Sequence, residues 1–359
     1  MSRFLQLHLL TAYPPANLNR DDQGSPKTAK MGGYDRLRVS SQCLKRTWRT
    51  SDHFQQALSG HIGTRTKQMG VKLYDYLTSK GVDHATALEW SKPIAGVFGK
   101  LKQLSKKEKD EKKELVEVEI EQLAFFDSEE EKSIFALADK LIERGSAPVD
   151  DELKFLRQKV SDVDIALFGR MLASSPAFNI EAACQVAHAI SVHPVVIEDD
   201  YFTAVDDLNN GLEDMGAAHI GETRFAAGLF YSYLCINREL LIDNLGGDEA
   251  LANKAIRALT EAVVKVAPEG KQNSFATRAY ASFVLAEKGD QQPRSLSVAY
   301  LKPIMDRESN DFVADSIHEL IKQKDNFDKV YGECADARYE LNVPEVKGCL
   351  SELLNFVGQ

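Results

Sequence analysis

The chain has 359 residues, of which 43% are hydrophobic and 27% are charged, and this ordinary globular composition excludes wholesale disorder and collagen-like repetition. The longest stretches without acidic or basic side chains, 4–19 and 182–197, are too short and too polar to cross a membrane as helices. The net charge is −10, yet residues 1–50 hold nine basic side chains against three acids, which predicts one polyanion-binding face on an acidic body.

The first fifty residues predict a strand, a long loop and a helix. Phe4–Thr11 is rich in apolar residues and is typical of a buried strand. Ala12–Gly33 carries several Gly and Pro residues and predicts a long functional loop, followed by a short extended piece at Arg36–Val39. A helix is expected from there to about His53, with a serine of the Ser40-Ser41 pair as its N-cap.

Residues 55–160 predict a mostly helical insertion. Within it, apolar and acidic residues first alternate along Leu115–Phe126 and the segment then becomes apolar, which favours a strand with one solvent-exposed face. Ser128 and Glu131 have the spacing of a capping box, and Gly145 is expected to end the helix that they open.

The second half of the chain predicts strands, a protrusion and helices. Strands are expected at Asp164–Phe168, Ala182–Val192, Phe225–Ile236 and Tyr280–Ala286, with a helix as the alternative for Ala182–Val192. A projecting loop is expected at 193–224 and an amphipathic helix at Asp248–Val266. A last helix is expected to open at Pro344, with Val346, Leu350 and Leu353 facing inward. An antiparallel sheet with helices packed on one face accommodates this order. The fold class is therefore α+β, with a ferredoxin-like or RNA-recognition (RRM) arrangement as the expected answer.

The sharpest chemical signal is the helix that follows Val39. Its N-terminus exposes backbone N–H groups and the positive end of the helix dipole, which is a ready anion site. Gln42, Lys45 and Arg49 share one stripe with Arg46 beside it, so a sugar-phosphate chain could be gripped along the helix. A merely solvated charged face is the alternative.

The sequence resembles the backbone subunit of the type I-E CRISPR surveillance complex (Cascade), the CasC family. The matching blocks run in family order over roughly residues 1–275, while 55–160 and the tail after 290 match only loosely. The blocks are L-N-R-D-D at 18–22, G-G at 32–33, R-x-R-V-S-S-Q-x-L-K-R-x-x-R at 36–49, D-I-A-L-F-G-R-M at 164–171, A-H-A-I at 187–190, F-T-A-V-D-D at 202–207, G-A-A-H-I-G at 216–221 and K-Q-N-S-F at 271–275.

The resemblance implies a modified RRM fold shaped like a hand. Its palm would comprise 1–54, 161–192 and 225–359, its helical fingers 55–160 and its protruding thumb 193–224. Several copies would polymerise along the spacer of the guide RNA (crRNA), and each thumb would press over RNA held by the neighbouring copy. The guide would thus be displayed in segments that pair with target DNA.

The resemblance also implies the partners and the binding residues. The partners are crRNA, target DNA through the guide, neighbouring copies and other Cascade subunits, with no membrane partner. The implied RNA contacts are Lys27, Ser40, Gln42, Lys45, Arg46, Arg49, Arg170, Met171 beside the kinked nucleotide, and Thr203 near the thumb contact point. From the sequence alone, ordinary core packing is the better reading of Met171.

The sequence offers two candidate sites for enzyme chemistry. His8 is the only histidine near the basic segment and has no obvious partner for acid–base cleavage of RNA, and His188 in its apolar run is expected to be structural. Metal-dependent cleavage through Asp21 and Asp22 is the alternative function, but loop and interface salt bridges account for these acids better, with Arg20 able to neutralise one. We expect a non-catalytic scaffold without cofactor.

The remaining expectations concern aromatic residues, the cysteines and histidines, and location. Phe202 is expected in the small core of the thumb, whereas Tyr201 is left as a core or a contact residue. The five cysteines lack a C-x-x-C motif and the histidines lack metal-ligand spacing, so reduced thiols and no metal centre are expected. No secretory signal is visible, so a cytoplasmic location is expected.

Overall fold

The computed structural model describes residues 2–103, 114–204, 219–305 and 311–359. The chain forms two compact units: unit 1 comprises residues up to 55, 185–237 and 256–359, and unit 2 comprises 56–184 and 238–255. Within the described ranges, no helix combines the length and the apolar character that a membrane crossing needs.

The strands in chain order are β1 (Phe4–Ala16), β2 (Thr28–Met31), β3 (Tyr34–Val39), β4 (Thr64–Thr66), β5 (Ala124–Phe126), β6 (Cys184–Val186), β7 (Ala189–Ser191), β8 (Glu198–Ala204), β9 (His219–Asn237), β10 (Phe283–Gly289) and β11 (Ala337–Asn342). The helices are α1 (Ser41–Arg49), α2 (Asp52–Ala57), α3 (Met69–Ser79), α4 (His84–Gly96), α5 (Ser128–Arg144), α6 (Val163–Phe168), α7 (Arg238–Asn244), α8 (Glu249–Lys265), α9 (Gln272–Phe275), α10 (Phe312–Tyr331) and α11 (Leu350–Val357).

Unit 1 is built on an antiparallel sheet, which confirms the α+β class. Across the described residues its order is β11-β10-β1-β9-β7-β3-β2, and β6 and β8 also pair with β9. β1 is buried at every position from Leu5 to Thr11, and β10 is buried throughout. Both faces of these two central strands are therefore covered, and the expectation of a single covered face is wrong there.

The interior of the sheet holds a charged network around Glu287. The carboxylate accepts hydrogen bonds from Arg294 at 2.7 and 3.0 Å and from Arg338 Nε at 2.8 Å. His8 bonds Glu287 through Nε2 at 3.2 Å and Tyr231 through Nδ1 at 2.8 Å. His8, for which the sequence shows no obvious catalytic partner, is thus fully buried and held on both ring nitrogens.

The network also sets the protonation of its members. Burial lowers the pKa of His8. Burial alone would raise the pKa of Glu287, but its hydrogen bonds from His8 and Arg294 outweigh burial and hold that pKa well below its usual range. A neutral His8 therefore donates from Nε2 to an ionised Glu287, and the cluster is a structural element of the sheet.

Unit 2 packs α3, α4 and α5 around one apolar cluster that includes Trp90, Phe98 and Ile134. The capping box of α5 lies one residue earlier than predicted: Asp127 is the N-cap, and Glu130 reaches back to its backbone N–H. Gly145 ends the helix in the left-handed conformation, as expected.

A buried acidic pair supports the start of α5. Asp127 accepts from the backbone N–H groups of Ser161 and Asp162, while Asp162 accepts from Ser128 N at 2.6 Å and Ser128 Oγ at 2.9 Å. Burial and the neighbouring Asp127 raise the pKa of Asp162 to about 7. The folded state therefore favours a protonated Asp162.

Two predicted strands of unit 2 are wrong in whole or in part. In the 115–126 segment, Glu114–Val118 forms a 3₁₀ turn and only Ala124–Phe126 is a strand. Asp164–Phe168 lies in α6, where Val163–Leu167 are all buried. A short, fully buried apolar run has no periodicity that separates helix from strand.

The predicted loops of unit 1 are more ordered than expected. The 12–33 segment continues β1 to Ala16 and contains β2, and the 193–224 segment contains the β8–β9 ladder. Residues 205–218 of the predicted protrusion lie outside the described residues.

The C-terminal helix begins later than predicted. Pro344 lies in a turn, and Val346 is 91% exposed with a φ of +54°. α11 starts at Leu350, and only Leu353 of its predicted inward residues is fully buried. Proline favours the first turn of a helix but equally favours the start of a turn, and here the turn prevails.

Candidate nucleic-acid interface

The candidate interface begins at the tight turn between β2 and β3. Met31 pairs with Tyr34, so Gly32 and Gly33 form a two-residue hairpin turn, with φ values of +62° and +85°. A Cβ on Gly32 would lie 1.8 Å from the carbonyl oxygen of Leu301, whereas Gly33 faces open space. This turn directs β3 toward the start of α1.

Ser40 is the N-cap of α1, as the sequence predicts. Its Oγ accepts from Cys43 N at 3.4 Å, and its backbone N–H donates to Asn19 Oδ1 at 3.0 Å. Ser40 itself is buried, so its hydroxyl serves the cap before any ligand. The helix ends at Arg49, short of the predicted His53, because Thr50 and Ser51 bond back to its last turn and α2 follows as a separate helix.

The predicted division of α1 into two faces is confirmed. Leu44 and Trp48 are buried, while Gln42 is exposed and Lys45 and Arg49 are half-buried. The three polar residues share one stripe of the helix. A row of hydrogen-bonding and cationic groups thus runs from the capped N-terminus along α1.

A second cluster lies at the N-terminus of α1. His188 Nδ1 is 3.2 Å from Arg38 NH1 and 3.4 Å from the backbone nitrogen of Ser41. Partial desolvation and the charges of Arg38 and Lys27 lower the pKa of His188. The imidazole is therefore neutral and accepts hydrogen bonds from both groups. The positive charges of Lys27 and Arg38 lie at the N-terminus of α1, which is also the positive end of the helix dipole.

His188 corrects the expectation of a structural histidine inside an apolar run. The side chain is exposed next to β7, which pairs with β3 in the sheet. The apolar neighbours Ala187 and Ala189 suggested burial, but alternate residues of an extended chain face opposite sides, so His188 is exposed between them. Sequence reasoning therefore missed a residue that belongs to the basic site.

Arg46 points toward a different part of the surface from the stripe. It lines a cavity of about 540 Å³ together with Arg20, Asp21, Asp22 and Glu269. Asp21 Oδ1 accepts from the backbone nitrogens of Gln23 at 3.0 Å and Ser25 at 2.9 Å, so this carboxylate shapes the loop.

No group of three or more metal-type ligands occurs among the residues that the structure describes. In the same ranges no ion pair joins Arg20 to Asp21 or Asp22, so the predicted neutralising role of Arg20 is not seen.

Thr203 lies on β8, away from α1 along the chain but in the same unit. It pairs with Ile220 in the β8–β9 ladder and is exposed. Tyr201 and Phe202 of the same strand are also exposed, so Phe202 does not form the predicted core; its ring crosses Gly221.

Arg224 connects the β8–β9 ladder by hydrogen bonds to the segment that precedes β2. Arg224 donates to Asp199 Oδ1 at 2.9 Å and to Ser25 Oγ at 3.0 Å, and its carbonyl accepts from Asn17 Nδ2 at 2.7 Å. The ladder and the loop that precedes β2 therefore have a fixed relative position.

The two predicted contacts of unit 2 differ sharply in exposure. Arg170 has a fully buried side chain whose NH1 donates to Glu130 Oε2 at 2.6 Å, so it offers nothing to a ligand in this structure. Met171 is 78% exposed, which overturns the core reading that the sequence alone favours.

Comparisons with known proteins agree with the fold. A family model described as CT1975-like protein matches residues 5–349. A chain of a "CRISPR RNA-guided surveillance complex, pre-nicking" superposes with a TM-score of 0.83 at 26% identity, with 99% of each chain covered. A chain of a "CRISPR RNA-guided surveillance complex" gives a TM-score of 0.73 at 22% identity over 99% of each chain, and at that identity shows the fold alone. Among curated proteins none matches.

Proposed function

The chain belongs to the CT1975-like protein family, the CasC family of type I-E Cascade, and from this membership we propose that it is the non-catalytic backbone subunit of a CRISPR surveillance complex. In this role it polymerises along the spacer of the crRNA and presents the guide in segments for pairing with target DNA. Its partners are the guide, neighbouring copies of itself and other Cascade subunits.

The observation that carries the proposal is the cluster of polar and basic side chains on α1 and at its N-terminus. A capped helix N-terminus, the stripe of Gln42, Lys45 and Arg49, and the charges of Lys27 and Arg38 lie together in unit 1. Cations beside the positive end of a helix dipole hold phosphates without reading bases. A subunit that must accept any spacer sequence requires that kind of contact.

The remaining assignments extend this interface. Exposed Met171 would pack beside a kinked nucleotide, and exposed Thr203 would lie at the thumb contact with RNA held by the next copy. Arg46 would bind RNA from its side of α1, and we leave Arg170 out because it is buried against Glu130. The palm (1–54, 161–192 and 225–359), the fingers (55–160) and the thumb (193–224) belong to the same proposal.

A length series of single-stranded RNA tests the scaffold role. The protein is mixed with RNAs of increasing length and unrelated sequence, and the copies bound per RNA are counted by mass photometry. We expect the copy number to rise in equal steps with RNA length for every sequence. Binding of one copy at all lengths, or binding of only one sequence, would contradict the proposal.

The same samples distinguish the ribonuclease alternative. After incubation with Mg²⁺, the RNA is resolved on a denaturing gel. A scaffold leaves the RNA at full length, whereas cleavage through Asp21 or Asp22 would release fragments that disappear in the Asp21→Asn/Asp22→Asn variant.

A further inference from the structure

A second cationic surface lies outside α1, in the part of the sequence whose net charge is acidic. A cavity of about 770 Å³ is lined by Lys265 at the end of α8, by the 266–273 segment, and by Arg278 and Tyr280. Lys265 is paired with Glu261, so two cations, Lys271 and Arg278, stand against one carboxylate, that of Glu269, in the cavity. Such a balance is unexpected in a chain of net charge −10 and attracts anions.

The backbone that forms this cavity is held in an unusual conformation. Lys271 and Ala276, on either side of α9, have φ values of +48° and +49°, and both are non-glycine residues. This region is costly for residues with a Cβ and is found preferentially where a loop clamps a ligand. The conformation is held by a bond from buried Thr277 Oγ1 to Gln272 Oε1 at 2.9 Å.

The side chains around the cavity are differently engaged. Lys265 pairs with Glu261 at 2.6 Å, and Lys271 Nζ donates to Thr223 Oγ1 on β9 at 2.6 Å. Arg278 is exposed and, within the described ranges, its guanidinium has no hydrogen-bond or ion-pair partner. Tyr280, two residues on, is 66% exposed.

We propose that this cavity is a second single-stranded RNA subsite, in which Arg278 and Lys271 bind phosphate and Tyr280 stacks on a base. An exposed aromatic beside cations is the combination that binds single strands without sequence preference. The cavity shares Glu269 with the one lined by Arg46, so the subsite adjoins the Arg46 side of α1. The inference rests on the proposed function, since the RNA is the guide that α1 holds.

The test combines crosslinking with a matched pair of variants. The full chain is bound to single-stranded RNA that carries 5-iodouridine, irradiated, digested and mapped by mass spectrometry. We expect a crosslink at Tyr280. In fluorescence anisotropy, Arg278→Gln/Tyr280→Ala should weaken RNA binding about tenfold, because loss of one stacked base and one phosphate contact is of that order.

The matched control is Lys329→Gln/Tyr331→Ala on α10, which removes a cation and an exposed tyrosine at the same spacing from a different surface. It should bind RNA like the parent. The inference is overturned if no crosslink falls within 265–280. It is also overturned if Arg278→Gln/Tyr280→Ala binds RNA like the parent while Lys45→Ala/Arg49→Ala loses binding, a result that leaves the proposed function intact. If Arg278→Gln/Tyr280→Ala and Lys45→Ala/Arg49→Ala both bind RNA like the parent, the inference and the proposed function are both contradicted.

Discussion

Removal of Lys45 and Arg49 from α1 should weaken RNA binding and make it less sensitive to salt. The two residues are four apart on one helix, so their Cβ atoms are about 6 Å apart and the side chains can hold two phosphates of one strand. A single-stranded ligand contributes about −0.7 to the slope of log K against log salt for each phosphate neutralised. The Lys45→Ala/Arg49→Ala variant should therefore lose about 1.4 from the magnitude of that slope.

The assay is fluorescence anisotropy with labelled single-stranded RNA over a series of KCl concentrations. Affinity at low salt should fall about tenfold for each charged hydrogen bond removed. The control is Lys322→Ala/Lys329→Ala, which removes two cations from α10 and should keep the slope of the parent. Because Lys45 and Arg49 are half-buried, thermal unfolding must first show that the variant is folded. A parental slope and affinity in a folded variant would refute the reasoning.

Three further predictions concern stability. Asp162→Asn should stabilise the protein progressively relative to the parent as pH rises from about 4 to 8, because a pKa of about 7 means that ionisation of Asp162 opposes folding; a pH-independent difference in Tm would be inconsistent with this. Glu287→Gln should cost about 3–5 kcal/mol in urea unfolding, since it removes the fully buried carboxylate that pairs with Arg294 and with Arg338, and only Arg338 keeps a second partner, Asp328. A change below about 1 kcal/mol would refute that role. Gly32→Ala should destabilise far more than Gly33→Ala, because only the first adds a clash with the Leu301 carbonyl to the strain of a positive φ; equal losses of Tm would contradict it.

The sequence predicts α1 well because its signals are local. A serine cap, apolar residues four apart and a run of basic residues lie within ten positions, and each acts through neighbours on the same helix turn. The buried Leu44 and Trp48 confirm the face that packs inward. The strands β1 and β9 are equally predictable, since long apolar runs between turn residues leave few alternatives.

The errors occur where distant partners decide the outcome. The buried run of α6 has no periodicity to read, and the surroundings of His8 depend on residues more than two hundred positions away. His188 is exposed because of how β7 pairs, which no local pattern reveals.

The site residues that the resemblance implies also differ according to their distant partners. The resemblance proposed Arg170 and Met171 together, as consecutive residues of one motif. The structure separates them, because Arg170 completes an ion pair with Glu130 inside unit 2 while Met171 projects outward. A motif can therefore contain a structural residue directly beside a surface residue.

The central claim is that this subunit holds a guide RNA along its α1 surface without cutting it. The most direct measurement is to purify the protein with its natural partners from the cell, extract any bound RNA and determine its length and ends. We expect discrete, short, intact RNA that is retained by the parent protein and lost from the Lys45→Ala/Arg49→Ala variant. An assembly that contains no RNA, or one that retains the same RNA in that variant, would contradict it.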